Sequence, residues 1–297
     1  MFKTPILFAF YIREDTTIKV FEKIAEIKPA KLYLSSDGAR RQKDQIIVNR
    51  LREKVLSMID WPCIVNKKFN DSNQGCGIAI SSSITWFFKN ENQGIILEDD
   101  CLPNISFFNY CEDLLNRYKS NKTIWHISGA NLFPSSIEDF SYDYSVYPGI
   151  WGWATWADRW ENYNFNLIKL NIKEYKYFSK RTISISYFKK IFDSLDKKKI
   201  DTWDFQWMFT LWKNNALAIT PKYNLVSNIG FGKNSSNTYY INDLRANIDT
   251  KEIYIINHPS GINLSPSDKK IKKIYFSFNY VKTIKQKIYD WFPSFKN

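Results

Sequence analysis

Through the first half of the chain, short apolar runs alternate with amphipathic stretches, and few folds accommodate that order. The runs at 6–12, 31–35, 63–66, 94–97 and 123–128 have the length and bounding turn residues of buried strands. Between them, 17–27, 41–59, 77–89 and 106–118 repeat apolar residues at helical spacing. Strands and helices in strict alternation imply an α/β fold, with a mostly parallel sheet covered by helices on both faces. Ligands of such sheets bind beyond the carboxyl ends of the strands. Arg13, Asp37, the acids Glu98, Asp99 and Asp100, and Gly129 with Asn131 should therefore line one rim.

From about Tyr142 the alternation gives way to Trp- and Tyr-rich segments, with no repeat or low-complexity linker. A chain of 297 residues with 44% apolar content buries a sizeable core as one large domain. The expected division is a first half of the domain, 1–141, a second half of the same domain, 142–256, and a basic amphipathic C-terminal tail, 257–297. From Asp268 onward that tail interleaves lysines with large apolar residues, the pattern of a segment that lies on an anionic membrane. The alternative is a helix packed on the domain with its lysines in solvent. A formal charge of +12 points to a polyanionic partner without choosing one. The four cysteines lack CxxC or metal-type spacing, which suits reduced cytoplasmic thiols. Neither a signal-peptide pattern at the N-terminus nor an apolar run of about 18 residues is seen, so a soluble or peripheral protein is expected.

The run GIILEDD, Gly94 to Asp100, ends an apolar strand in three consecutive carboxylates. Such a cluster calls for a cation, and hard Mg2+ or Mn2+ takes oxygen ligands while keeping positions open for substrate phosphates. Asp37, before Gly38, can accept hydrogen bonds from a base or ribose, and Arg13 can contact a base or phosphate. Read singly, these are a turn dipeptide and a surface arginine. The segment PGIWGWATW places Trp151, Trp153 and Trp156 within six residues; indoles can form apolar platforms for sugar rings or pack in a core. In DTWDFQW, Asp201 reads as the N-cap of a helix over 203–212, which leaves Asp204 as a desolvated proton acceptor. Finally, 227–238 offers backbone amides, hydroxyls and one ammonium suited to a diphosphate, although a Gly/Ser/Asn loop is more often merely a loop.

In this order the segments resemble the GT-A nucleotide-diphospho-sugar transferases, specifically bacterial proteins akin to the animal N-acetylglucosaminyltransferase I group. The likeness covers roughly 5–240 and is carried by GIILEDDCLPNISFF, WGWATW, TWDFQW, NIGFG and the preceding NQGCGIAISSSITWFF. The resemblance implies Asp100 as the direct metal ligand, with Glu98 and Asp99 near the ribose and the ion's water. It implies that Arg13 and Asp37 hold a uracil base, and that Gly230, Gly232, Lys233, Ser235 and Ser236 close over the phosphates. Asp204 matches the catalytic base. Trp151, Gly152 and Trp153, with Asn131 and Trp203, match the wall between sugar and acceptor. Relatives often carry a basic residue at the position of Gly77 and a His near Asn237; this chain has neither. Of its two histidines, His126 reads as structural, and His258 approaches the metal only if the chain folds back.

The expected reaction is a single inverting displacement from a UDP-sugar, N-acetylglucosamine or another hexose, to a hydroxyl of a surface glycan or lipid-linked acceptor. Mn2+ or Mg2+ is the implied cofactor, and the cytoplasm or inner membrane face the implied location. A metal-dependent nucleotidyltransferase shares the sheet and acid cluster but needs neither the Trp platform nor Asp204. A nucleic-acid-binding protein fits the charge and aromatic content, but a strand-end EDD repels phosphates without a metal, so nucleic acid is not expected as a partner.

Overall fold

The computed structural model describes residues 1–133, 140–166, 185–231 and 246–275. The first half alternates as the pattern demands: β1 (Ile6–Phe10), α1 (Glu14–Ile27), β2 (Lys31–Ser36), α2 (Gln45–Ser57), β3 (Ile64–Phe69), α3 (Cys76–Phe88) and β4 (Gln93–Glu98). The short β5 (Cys101–Pro103), α4 (Ser106–Tyr118) and β6 (Ile124–Ser128) follow. The expected helix at 41–59 opens as a short 3-10 turn, Gln42–Asp44, before α2 begins. Later elements are β7 (Tyr142–Ser145), β8 (Trp153–Trp156), α5 (Ala157–Trp160), α6 (Ile185–Asp196), α7 (Asp204–Lys213), β9 (Leu217–Pro221), β10 (Val226–Asn228) and α8 (Ser267–Tyr275).

Eight strands form one sheet in the order β3-β2-β1-β4-β8-β6-β9-β7. The first four are mutually parallel. β8 runs antiparallel to both β4 and β6, so β6 points the same way as β4. Strands on both sides of residue 141 therefore share one sheet, and the carboxyl ends of β1, β2, β4 and β6 open on one rim. β5 and β10 pair separately as an antiparallel ribbon, with Asn228 opposite Cys101.

The two faces follow from period two along each strand. Ile6, Phe8, Leu32, Leu34, Ile95 and Leu97 pack with α1, α2 and α4 through Phe21, Leu51 and Phe107. The residues between them, Leu7, Tyr33 and Ile96, meet α3, α5 and α7 through Phe87, Trp160 and Trp207. Burial on both faces explains why the parallel strands read as continuous apolar runs and not as alternating ones.

C-terminal to β10, the chain runs along the open edge of β7. Ser141 and Asn257 exchange hydrogen bonds, and the Ser265 amide donates to Tyr144. Asp268 accepts from Ser145 Oγ and the Val146 amide, which fastens the start of α8 against the sheet while Lys269 and Lys270 face solvent. Most of the expected basic tail, 276–297, lies outside the described residues. Among the described residues, no helix is long and apolar enough to cross a membrane.

Candidate active site

The acid cluster sits where β4 leaves the buried sheet. Asp99 is buried and accepts hydrogen bonds from the Tyr11 amide, at 3.1 Å, and from Arg13 Nη2. The same Nη2 reaches Asp100 Oδ2 at 3.0 Å, so the end of β1 supplies a guanidinium to both acids at the end of β4. Burial alone would make Arg13 less basic; the facing charges of Asp99 and Asp100 raise its pKa instead. Glu98 is pushed well above the usual carboxylate range by burial and by the negative charges of Asp100, Asp99 and Asp204. One guanidinium among these carboxylates leaves the cluster short of positive charge.

Gly230 rests directly on this pair. A Cβ at that position would collide with the Asp100 side chain and stand 2.6 Å from Arg13 Nη1, so only glycine lets the backbone approach. The β5–β10 ribbon makes the approach possible, because the Ile229 amide donates to the Asp100 carbonyl at 2.9 Å. Gly230 thus meets the expected metal ligand from a segment distant in sequence. Gly232, Lys233, Ser235 and Ser236, the rest of that expected phosphate loop, lie outside the described residues.

Asp204 opens α7 on the opposite face and turns to the same region. Its Oδ1 accepts from Thr202 Oγ1 and from the Phe205 amide, and burial, against those hydrogen bonds, raises its pKa. Cys76, at the start of α3, marks the convergence: burial and the charges of Glu98, Asp201, Asp204 and Asp100 all raise its thiol pKa.

Asp201 does not cap its own helix, as the sequence suggests. Its carboxylate accepts from the Cys76 and Gly77 amides, each at 2.8 Å, and so caps α3, 125 residues earlier. A Cβ at Gly75 or Gly77 would stand 2.6 or 2.8 Å from this carboxylate, and Gly75 also takes a φ of +81°. The absence of a basic side chain at position 77 thus has a steric reason.

Other expected site residues are spent on the fold. Asp37 accepts from the Gly38 and Gln74 amides and from the Asn70 and Asn73 side chains, which organises the loop after β3. Asn131 is buried, donating to the Pro221 and Lys222 carbonyls and accepting from the Phe133 amide. Trp153 and Trp203 are 1% and 2% exposed and stack at 5.6 Å between centroids, so their faces are core surface and not a sugar platform. Gly152 is buried beside them and its carbonyl accepts from the Gly129 amide. Trp151 alone of the expected indoles is half-exposed, edge-on to Phe231 at 5.8 Å.

Both histidines have structural partners. His126 stacks on Trp153, accepts from Trp207 Nε1 at Nδ1 and donates from Nε2 to the Gly149 carbonyl; burial lowers its pKa to about 3, which fixes it neutral. His258 bonds Tyr142 through Nδ1 and faces Asp113 of α4. Tyr11 and Thr202 join the site without a strong sequence signal; only Tyr11's place after the first strand could have flagged it.

A divalent ion fits this donor set in one way. Among the described residues, no group of three or more His, Cys, Asp or Glu side chains is arranged to hold a metal. Asp100 would supply one hard oxygen, and the remaining positions would go to water and substrate oxygens, the mode natural to Mg2+-like ions.

No protein-family model and no curated protein matches the chain. Solved structures overlap it in part. A mannosyltransferase from Pyrobaculum calidifontis, in complex with GDP-Man and Mn2+, is 12% identical over 53% of this chain and 45% of its own, with a TM-score of 0.37. TarS of S. aureus (residues 1–349) is 10% identical over 73% and 58%, at 0.40, so this chain spans less than two thirds of either. A UDP-glucose pyrophosphorylase complexed with UDP-glucose is 10% identical over 75% and 93%, also at 0.40. Overlaps of this size leave the chemistry to be read from this chain's own site.

Proposed function

We propose that this chain is a metal-dependent inverting glycosyltransferase of the GT-A kind, moving N-acetylglucosamine or another hexose from a UDP-sugar to a hydroxyl of a surface glycan or lipid-linked acceptor. The observation that carries the reading is the convergence of Glu98 and Asp100, where β4 ends, with Asp204, at the start of α7: the charges of Asp100 and Asp204 both raise the Glu98 pKa. A cation-deficient acid rim beside a separate, desolvated carboxylate suits a reaction that needs both a leaving-group site and a base.

In this reading Asp100 is the residue that holds the ion, which when bound supplies positive charge to the leaving diphosphate. Arg13 and the Gly230 backbone border the same oxygens. Asp204 takes the proton of the acceptor hydroxyl; the oxygen bonds to the anomeric carbon as the bond to the diphosphate breaks, and its electron pair leaves on phosphate oxygen. Trp151 offers its open face to a sugar ring.

The test is release of free UDP from UDP-sugars with Mn2+, with and without glycan acceptors. Acceptor-stimulated UDP release lost in Asp204→Asn supports the reading. Pyrophosphate release from a nucleoside triphosphate and a sugar phosphate would replace it with nucleotidyl transfer.

A further inference from the structure

We propose that the loop after β2 and the first turn of α2 form a contact surface for an anionic lipid bilayer, close to the candidate active site. Arg40, Arg41 and Lys43 are exposed there within four residues, and among the described residues none has an ion-pair partner. Of the nearby acids, Glu14 pairs with Arg50 at 2.6 Å and Asp71 faces Arg52, which leaves the half-buried Asp44 against the three cations.

Beside these cations stand two isoleucines that the fold does not use. α2 buries Val48, Leu51 and Val55 against the sheet, while Ile46 is 77% exposed and Ile47 37% exposed. Solvent-facing positions in a helix's first turn ordinarily carry polar or acidic residues, because exposed aliphatics gain nothing from water and acids complement the helix dipole. Two isoleucines beside three free cations match a bilayer interface, where apolar side chains enter the acyl boundary and cations meet lipid phosphates. Nucleic acid would use the cations but give two aliphatic side chains no stacking partner.

The loop is held at the site's edge. The Arg40 amide donates to Tyr11 Oη at 2.8 Å, and the Tyr11 amide donates to Asp99 at 3.1 Å. A bilayer on this face would bring lipid-borne molecules beside the acid rim. The surface is independent of the glycosyl-transfer reading, because it is tested without donor or acceptor.

The experiment is co-sedimentation of the full chain with phosphatidylcholine vesicles, with and without phosphatidylglycerol, at low salt. The wild type is expected to bind the anionic vesicles and leave the neutral ones. Arg40→Gln/Arg41→Gln/Lys43→Gln should weaken binding about tenfold or more, and Ile46→Ser/Ile47→Ser about threefold or more, with unchanged thermal stability. If the serine pair lowers Tm, Ile46→Asn alone, at the more exposed position, takes its place. Wild-type indifference to anionic vesicles, or equal binding by either set of variants, overturns the proposal. So does a charge variant that loses binding to single-stranded DNA while vesicle binding stays intact.

Discussion

Asp201 Oδ1 accepts a 2.8 Å hydrogen bond from the Gly77 amide, tying the start of α3 to the turn that leads into α7. The carboxylate also faces the positive end of the α3 dipole, which stabilises it further. Asp201→Ala removes both interactions and leaves two amides to water, at a cost of about 1–2 kcal/mol. Gly77→Ala should be at least as damaging, because its methyl group would displace the same carboxylate. Denaturant unfolding of the two variants checks this; wild-type stability in Asp201→Ala would show the cap to be inert.

Asp204→Asn keeps the shape of the side chain but cannot take a proton. Donor binding should persist while transfer falls by about a hundredfold or more. The wild-type pH profile carries a sign as well. Only the ionised carboxylate can act as base, so kcat/KM falls as pH drops through its pKa. Burial raises that value, so the fall should begin above the usual Asp range of about 3.9.

Asp100→Ala should abolish the effect of Mn2+ on UDP affinity without unfolding the protein, because Arg13 keeps Asp99 as its partner. Isothermal calorimetry with and without Mn2+ decides: metal-dependent affinity that survives the substitution places the ion elsewhere.

Trp151→Ala and Trp153→Ala should separate binding from folding. Trp153 is packed against His126, Trp160, Trp203 and Trp207, so its removal should cost about 3–5 kcal/mol. Trp151, half-exposed, should cost much less stability and show its effect in acceptor KM. Thermal melts and steady-state kinetics on both variants make the comparison.

Asp268 links stability to pH. Burial raises its pKa to about 6, above the unfolded value near 3.9, so the folded state binds this proton more tightly. Stabilisation from the protonated group is therefore full below about pH 4 and is lost as pH rises through about 6, a swing of about 3 kcal/mol. Lowering pH from 7.5 to 5.5 should raise the contribution of this site, and Asp268→Asn should flatten that part of the Tm profile. An unchanged profile in the variant would assign the pH dependence to other groups.

Local pattern was enough for the order of elements and for α4, expected and observed at Ser106–Tyr118. Period and apolar run length follow from which faces are buried, and both are written in contiguous residues. The rim followed too, because parallel strands put the ends of β1 and β4, and thus Arg13 and Asp99, on one side. What only the tertiary structure decided is which polar groups the fold spends on itself. Asp37 and Asn131 look like ligands in sequence and Asp201 like the cap of its own helix, yet Asp37 accepts from the loop after β3, Asn131 donates to the Pro221 and Lys222 carbonyls, and Asp201 accepts from the Cys76 and Gly77 amides, the last two sets of partners lying 90 or more residues away. Trp151 and Trp153 stand two apart in a single run, but β8 begins only at Trp153, and Gly152, at a φ of +61°, breaks the strand alternation between them, so Trp153 is buried while Trp151 stays half-exposed. Hydrogen-bond satisfaction and burial depend on contacts between distant segments, so no local spacing encodes them.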